Sequence, residues 1–313
     1  VQPRAEILEA VQELKAAGYK IALDDFVLLP GYEQLIEMAD IIKVDFRITE
    51  DPEERKKLRE ILPGHVRLLA EKIETEDEFR QALEFGYVLF QGYFFCKPTV
   101  LRQKKLSSNA LSQMRLLKEV NRREFDFRAI TDAISSDTNL VHKLLTYINS
   151  VGMGLTHNVS NLRQATVLLG LEGIRRWVTL VSLQTFSEGK PPELFTISLL
   201  RAKFCELIAS ELKHSNVTPD TGFLLGMFSL IDALLNQPME EVLEEVALSE
   251  ELTSALLGEK SDLRKILDIA VAYEQGDWDQ VIALCKEENL SPGRLKQNYN
   301  AALEWYNLLQ SVG

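Results

Sequence analysis

The sequence predicts an α/β half, a partial (β/α) barrel of four parallel strands, followed by an all-α half. Three observations predict it. Short apolar runs alternate with amphipathic helical stretches through residues 1–104. Each run ends in charged or polar residues, as in Ile21-Ala22-Leu23-Asp24-Asp25-Phe26 and Ile41-Ile42-Lys43-Val44-Asp45. Two more follow the same plan, Leu69-Ala70-Glu71-Lys72-Ile73-Glu74-Thr75 and the run closing at Gln91-Gly92. Parallel β/α barrels place their chemistry at these strand ends. Beyond Pro98 the strand patterns stop, and residues 105–313 carry long helical patterns.

In the first half, Ile7, Leu8, Val11 and Leu14 share one helical face, predicting a helix over 5–17 that Gly18 ends. A strand over 20–23 follows, then the Pro30-Gly31 loop, a helix over 32–38 and a strand over 41–44. Asp51-Pro52 opens a helix over 53–62, which Pro63-Gly64 closes. A strand over 66–70, a helix over 76–85 and a strand over 87–90 complete the series. The second half predicts helices over 110–121, 127–135, 140–149, 161–168, 173–186, 192–213, 221–235, 239–246, 250–257, 262–275, 278–287 and 292–309. Asp277 and Ser291-Pro292 supply two of their starts, and Ser107-Ser108-Asn109 reads as a linker.

Composition narrows the function classes. A net charge of -12 argues against a nucleic-acid surface, which needs clustered Lys and Arg. No apolar run approaches a membrane span, and no export leader is visible. Three cysteines stand far apart without a paired motif, so a reducing cytoplasm is the expected setting. The chain starts at Val1 and leads straight into a helix, so further sequence is expected ahead of it.

Asp24, Asp25 and Glu71 are carboxylates at strand ends, with Lys43 on the strand between them and Glu74 just beyond. Such oxygens suit one or two Mg²⁺ or Mn²⁺ ions, which can activate water against a phosphodiester while a lysine stabilises developing charge. The same pattern also fits a solvated rim of strand-end charges, which spacing alone favours.

Ala22-Leu23-Asp24-Asp25-Phe26, Ile42-Lys43-Val44-Asp45, Ala70-Glu71-Lys72-Ile73-Glu74-Thr75 and Gln91-Gly92-Tyr93 together resemble the second half of an EAL domain. EAL domains are β/α barrels that bind cyclic di-GMP and, when active, hydrolyse it with two metal ions. The resemblance implies that Asp24, Asp25 and Glu71 match metal-site acids, and that Lys43, Glu74 and Gln91 match residues supporting catalysis or positioning. The chain also departs from the family. The Glu-Ala-Leu motif and the Asn and Glu ligands of earlier strands are absent, Val27-Leu28-Leu29-Pro30-Gly31 replaces a Gly-rich segment, and Lys72 stands where Gly is expected.

The second half resembles the HDOD family through Ile134-Ser135-Ser136-Asp137-Thr138-Asn139-Leu140, Lys143 to Ser150, Ala165 to Gly170 and Ile174-Arg175-Arg176-Trp177. Phe223 to Asp232 fits the same domain. HDOD domains are helical relatives of HD phosphohydrolases without the metal-binding His and Asp set. None of His65, His142, His157 and His214 is followed by Asp, in keeping with that. The order EAL then HDOD resembles the YuxH-like signalling proteins.

The expectations are therefore a partial, degenerate EAL domain over 1–104 and an HDOD domain over 105–313. The chain is expected to be a bacterial signal-transduction adaptor, not an enzyme, with a vestigial site and no cofactor. Its partners are expected to be other signalling proteins, with no nucleic acid and no membrane, and the open sheet edges point to a homodimer. The alternatives are a cyclic di-GMP phosphodiesterase with Mg²⁺ or Mn²⁺, if a longer chain supplies the missing barrel half, and a non-catalytic cyclic di-GMP receptor.

Overall fold

A computed structural model describes residues 3–92, 107–122, 126–149, 158–212 and 216–310. The chain divides into two compact units, Val1–Lys97 and Pro98–Gly313.

The first unit runs α1 (Ala5–Ala16), β1 (Ala22–Leu23), α2 (Glu33–Met38), β2 (Ile41–Asp45), α3 (Pro52–Ile61), β3 (Arg67–Glu71), α4 (Glu76–Glu84) and β4 (Leu89–Phe90). The strands pair in the order β1-β2-β3-β4, all parallel, as the alternation of strand and helix predicts. Helix starts are chemically marked. Asp51 accepts the Glu53 amide ahead of Pro52, and Thr75 forms a reciprocal capping box with Glu78.

Alternation along the strands separates two environments. Ile42, Val44, Leu68 and Ala70 are each fully buried, in one cluster with Ile36, Leu58, Leu62 and Ala82 from the helices. The intervening residues, Lys43, Asp45, Leu69 and Glu71, share the opposite face, where register pairs Lys43 with Leu69 and Asp45 with Glu71. One face of the sheet holds the unit together and the other is free to carry charge.

Arg55 on α3 fastens the segment after β2. Its guanidinium donates to Thr49 O at 2.5 Å, Phe46 O at 2.8 Å and Gln81 Oε1 at 3.1 Å, and lies 4.0 Å from the centre of the Phe46 ring. Tyr87 packs edge-on against Phe46 and donates its hydroxyl to Arg55 O. Burial lowers the Arg55 pKa, so the cation depends on these carbonyls and on the ring face.

The second unit is helical among the described residues: α5 (Ser108–Asn121), α6 (Phe127–Ser135), α7 (Thr138–Ile148), α8 (Leu162–Phe186), α9 (Pro192–Glu211), α10 (Pro219–Phe228), α11 (Ile231–Leu235), α12 (Met239–Val246), α13 (Glu250–Leu256), α14 (Asp262–Gln275), α15 (Trp278–Glu287) and α16 (Pro292–Gln310). None of these helices is long and apolar enough to cross a membrane.

Several expectations are adjusted here. The helix expected over 221–235 is two, because the chain turns at Ser229 and Leu230, where the Ser229 hydroxyl donates to Gly226 O. The two helices expected over 161–168 and 173–186 lie within α8, which breaks at Gly170 with φ 63°. Ser107 is the N-cap of α5 rather than part of a linker, accepting the Ala110 amide. Asp277 caps α15 as expected, accepting the Gln280 amide. Asn149 exchanges two hydrogen bonds with Val159, at 2.7 and 2.8 Å. Tyr93, Cys96, Ser150, His157 and His214 lie outside the described residues.

Helix α9 runs through the centre of this unit, with Ala202, Phe204, Cys205 and Ile208 fully buried. Against it α10 approaches so closely that a Cβ on Gly226 would lie 2.5 Å from Ala202 Cα and 2.6 Å from Ala202 N. Backbone cannot yield as a side chain can. Gly226→Ala is therefore expected to destabilise the protein by about 1–3 kcal/mol through overpacking, read as a lower thermal midpoint in circular dichroism. An unchanged midpoint would show that the two helices separate freely.

Candidate functional site

The strand ends of the first unit bring together three of the expected acids. Asp24, Asp25 and Glu71 each present a carboxylate oxygen, and these oxygens lie within 4.8 Å of one another. Asp24 and Asp25 follow β1 and are exposed, whereas Glu71 ends β3 and is 5% exposed. Asp25 adopts φ 46°, so the chain turns sharply at the second acid, and its amide donates to Asp24 Oδ1 at 3.1 Å.

Lys43 stands between them. Its Nζ lies 2.7 Å from Asp24 Oδ1 and 2.5 Å from Glu71 Oε1. The Lys43 hydrogen bond holds the Asp24 carboxyl below the usual carboxylate range. Burial pushes the Glu71 carboxyl above that range, with Lys43 opposing. Burial also works against the Lys43 ammonium, but Asp24 and Glu71 outweigh it and raise its pKa. The group thus holds one exposed acid ready to ionise, one buried acid reluctant to, and a fixed positive charge joining them.

Glu74 stands outside this group. Glu74 Oε1 pairs with Arg47 at 2.7 Å. Gln91 is committed to the sheet through its backbone, donating to Ala70 O and accepting from Ile73 N. The next residue explains the local spacing: a Cβ on Gly92 would fall 2.2 Å from Ile73 O, so only glycine lets β4 pass the turn after β3.

Asp45 is the residue that sequence reasoning did not assign. Two positions after Lys43 on the same strand face, its side chain is 1% exposed. Oδ1 accepts the Arg47 amide at 2.7 Å and the Ile48 amide at 3.4 Å, while Oδ2 meets Lys72 Nζ at 2.5 Å. The two-residue spacing was a usable signal; burial of the carboxylate was not visible without the fold. Lys72 has φ 55°, the left-handed region, which matches the glycine expected there. From that backbone its ammonium reaches Asp45.

Burial raises the Asp45 carboxyl, but Lys72 and the Arg47 and Ile48 amides together outweigh it, and the pKa falls below its ordinary 3.8. A depressed folded pKa adds stability that is present above about pH 4 and is lost as pH falls through the folded value. Asp45→Asn is thus expected to cost about 1–3 kcal/mol at pH 7, since Lys72 remains partly solvated. The difference from the unsubstituted protein should shrink below pH 4 in urea melts. A pH-independent difference would show that the carboxylate charge is not involved.

In the helical unit, Arg175, Arg176 and Trp177 are engaged in packing. Trp177 is 1% exposed, and Arg176 lies 3.9 Å over the Phe223 ring while binding Glu206 at 2.9 Å and Asp220 at 3.0 Å. Arg175 donates to Val120 O and pairs with Glu172. Glu240, Glu241, Glu244 and Glu245 are exposed while Val242, Leu243 and Val246 are buried, as a solvated face requires. Among the described residues no histidine joins a metal-competent group.

Two domain models match the chain, the EAL domain over residues 1–98 and the HDOD domain over residues 106–261. The cyclic di-GMP phosphodiesterase CdgJ of Vibrio cholerae is 36% identical over 310 residues, which span 97% of this chain and 71% of CdgJ. The uncharacterized protein YuxH of Bacillus subtilis is 36% identical over 314 residues, spanning 97% of this chain and 76% of YuxH. The MmoQ response regulator of Methylococcus capsulatus aligns over 63% of this chain and 97% of its own at 17% identity, with a TM-score of 0.31, too slight a likeness to inform the fold.

The relation to CdgJ corrects two expectations, that the chain is not an enzyme and that it has no cofactor. A phosphodiesterase this similar across nearly the whole chain points to enzymatic activity. Among the departures that had counted against activity was Lys72, a cation where glycine is expected; its ammonium pairs with Asp45, and Asp24, Asp25 and Glu71 are grouped as oxygen donors that suit Mg²⁺ or Mn²⁺. By its two domains in order and its relatives, the chain belongs to the YuxH-like family of bacterial signal-transduction proteins, in which an EAL domain precedes an HDOD domain.

Proposed function

We propose that this protein is a cyclic di-GMP phosphodiesterase of a bacterial signalling system, with its sheet forming part of a β/α barrel. The observation that carries the reading is the convergence of Asp24, Asp25 and Glu71 on one spot with Lys43 between two of them. The kinship with CdgJ supports it.

In this reading Asp24, Asp25 and Glu71 hold Mg²⁺ or Mn²⁺, and their hard oxygen donors fit that role. The bound ion supplies an acidified water and neutralises phosphodiester charge. Lys43 keeps Asp24 and Glu71 oriented and presents fixed positive charge to a phosphate oxygen. Arg47 secures Glu74 beside the site, and Asp45 secures the backbone from which Arg47 extends. We assign the helical unit the partner-binding role, supported by exposed Val167, Leu168 and Leu171 around the Gly170 break. A cytoplasmic setting goes with the reading.

Full-length protein with Mn²⁺ is expected to convert cyclic di-GMP to a linear dinucleotide, followed by reversed-phase chromatography. Asp24→Asn and Glu71→Gln should each lower the rate by more than roughly a hundredfold, and a chelator should abolish it. No linear product with either Mg²⁺ or Mn²⁺ would overturn the reading. The outer strands β1 and β4 have two residues each, and such short edges restrain pairing. Any dimer should therefore survive charge substitutions along those strands in light scattering.

A further inference from the structure

We propose that Lys72 is an internal competitor cation that holds down the divalent-metal affinity of the Asp24–Asp25–Glu71 group. The proposal rests on reading that group as a metal site.

The charges around the strand ends are unevenly balanced. Asp24, Asp25 and Glu71 converge, and Asp45 ends the neighbouring strand in register with Glu71. Lys43 serves Asp24 and Glu71, and Lys72 serves Asp45. Four carboxylates against two ammonium groups leave a formal charge of −2, matching one divalent ion. Without Lys72 the same cluster would carry −3, with a buried Asp45 carboxylate lacking its ammonium.

The position of Lys72 serves this role better than a purely structural one. It follows Glu71 directly, and its ammonium interacts electrostatically with Asp25 and Glu71 as well as with Asp45. Its φ of 55° costs an L residue conformational energy that glycine would not pay. A strained backbone that presents a cation to the acids does electrostatic work that a glycine there could not. Because the Lys72 side chain is 59% exposed, salt should screen its effect, whereas a packing role would be indifferent to salt.

Two neutral variants test the idea in the intact chain. Lys72→Met keeps the length of the side chain, and Lys72→Gly also relieves the left-handed strain, so at least the second should fold. Mn²⁺ binding is followed by electron paramagnetic resonance of the free ion, with circular dichroism confirming the fold. Both variants should bind Mn²⁺ roughly tenfold tighter at low ionic strength, with the gain shrinking as KCl is raised. Lys72→Arg should bind as the unsubstituted protein does. Equal or weaker binding by both neutral variants would overturn the proposal while leaving the metal site intact. If neither variant nor the unsubstituted protein takes up Mn²⁺, the metal reading of the acids falls too. Hydrolysis of cyclic di-GMP by the unsubstituted protein tests that reading separately.

Discussion

The parallel register of β2 on β3 is the constraint on which the first unit depends. It sets Val44 beside Ala70 on the buried face and Asp45 beside Glu71 on the other. A slip of one residue would drive Lys43 and Glu71 toward the helices and expose Ile42 and Val44. Burial of the apolar set is worth about 1.5–3 kcal/mol for each large side chain, more than any exposed ion pair supplies. Packing therefore selects the register, and the charged group follows from it.

Given that register, the chemistry at the strand ends is a matter of competition among charges. Lys43 makes a buried Glu71 tolerable and keeps Asp24 ionised. Lys72 does the same for Asp45, which in turn fixes the amides of Arg47 and Ile48. Arg55 grips the same loop from the helix side through Phe46 O and Thr49 O. The loop after β2 is held at both faces, giving Arg47 a fixed origin for its bond to Glu74. Polar groups tied down in this way can be positioned without large apolar contacts.

The helical unit uses charge differently. Arg201, 3% exposed, binds Glu274 through several hydrogen bonds and also donates to Ser229 Oγ. Burying such a pair adds little net stability, but removing one partner is costly, so the pair specifies how α9, α14 and the turn after α10 meet. Arg176 plays a similar part among α8, α9 and α10, with the Phe223 ring beneath it. The Arg175-Arg176-Trp177 run is taken up by this packing.

Much of the plan was legible in the chain. The alternation of strand and helix, the change to all-helical patterns and the caps at Asp51 and Asp277 rest on local rules of periodicity and capping. So did the gathering of Asp24, Asp25, Lys43 and Glu71, because strand ends in a parallel sheet face the same way. The break at Ser229 was not legible, since Ser229 meets Arg201 of α9, 28 residues earlier in the chain. Neither was the bridge from Asn149 to Val159, ten residues on. Lys72 shows the division most clearly. Sequence placed a cation beside the acids, but only the left-handed backbone and the buried Asp45 carboxylate decide that it points to Asp45. Periodicity and residue type act locally and can be read along the chain, whereas the partner of a charge is chosen by which side chains the fold desolvates together.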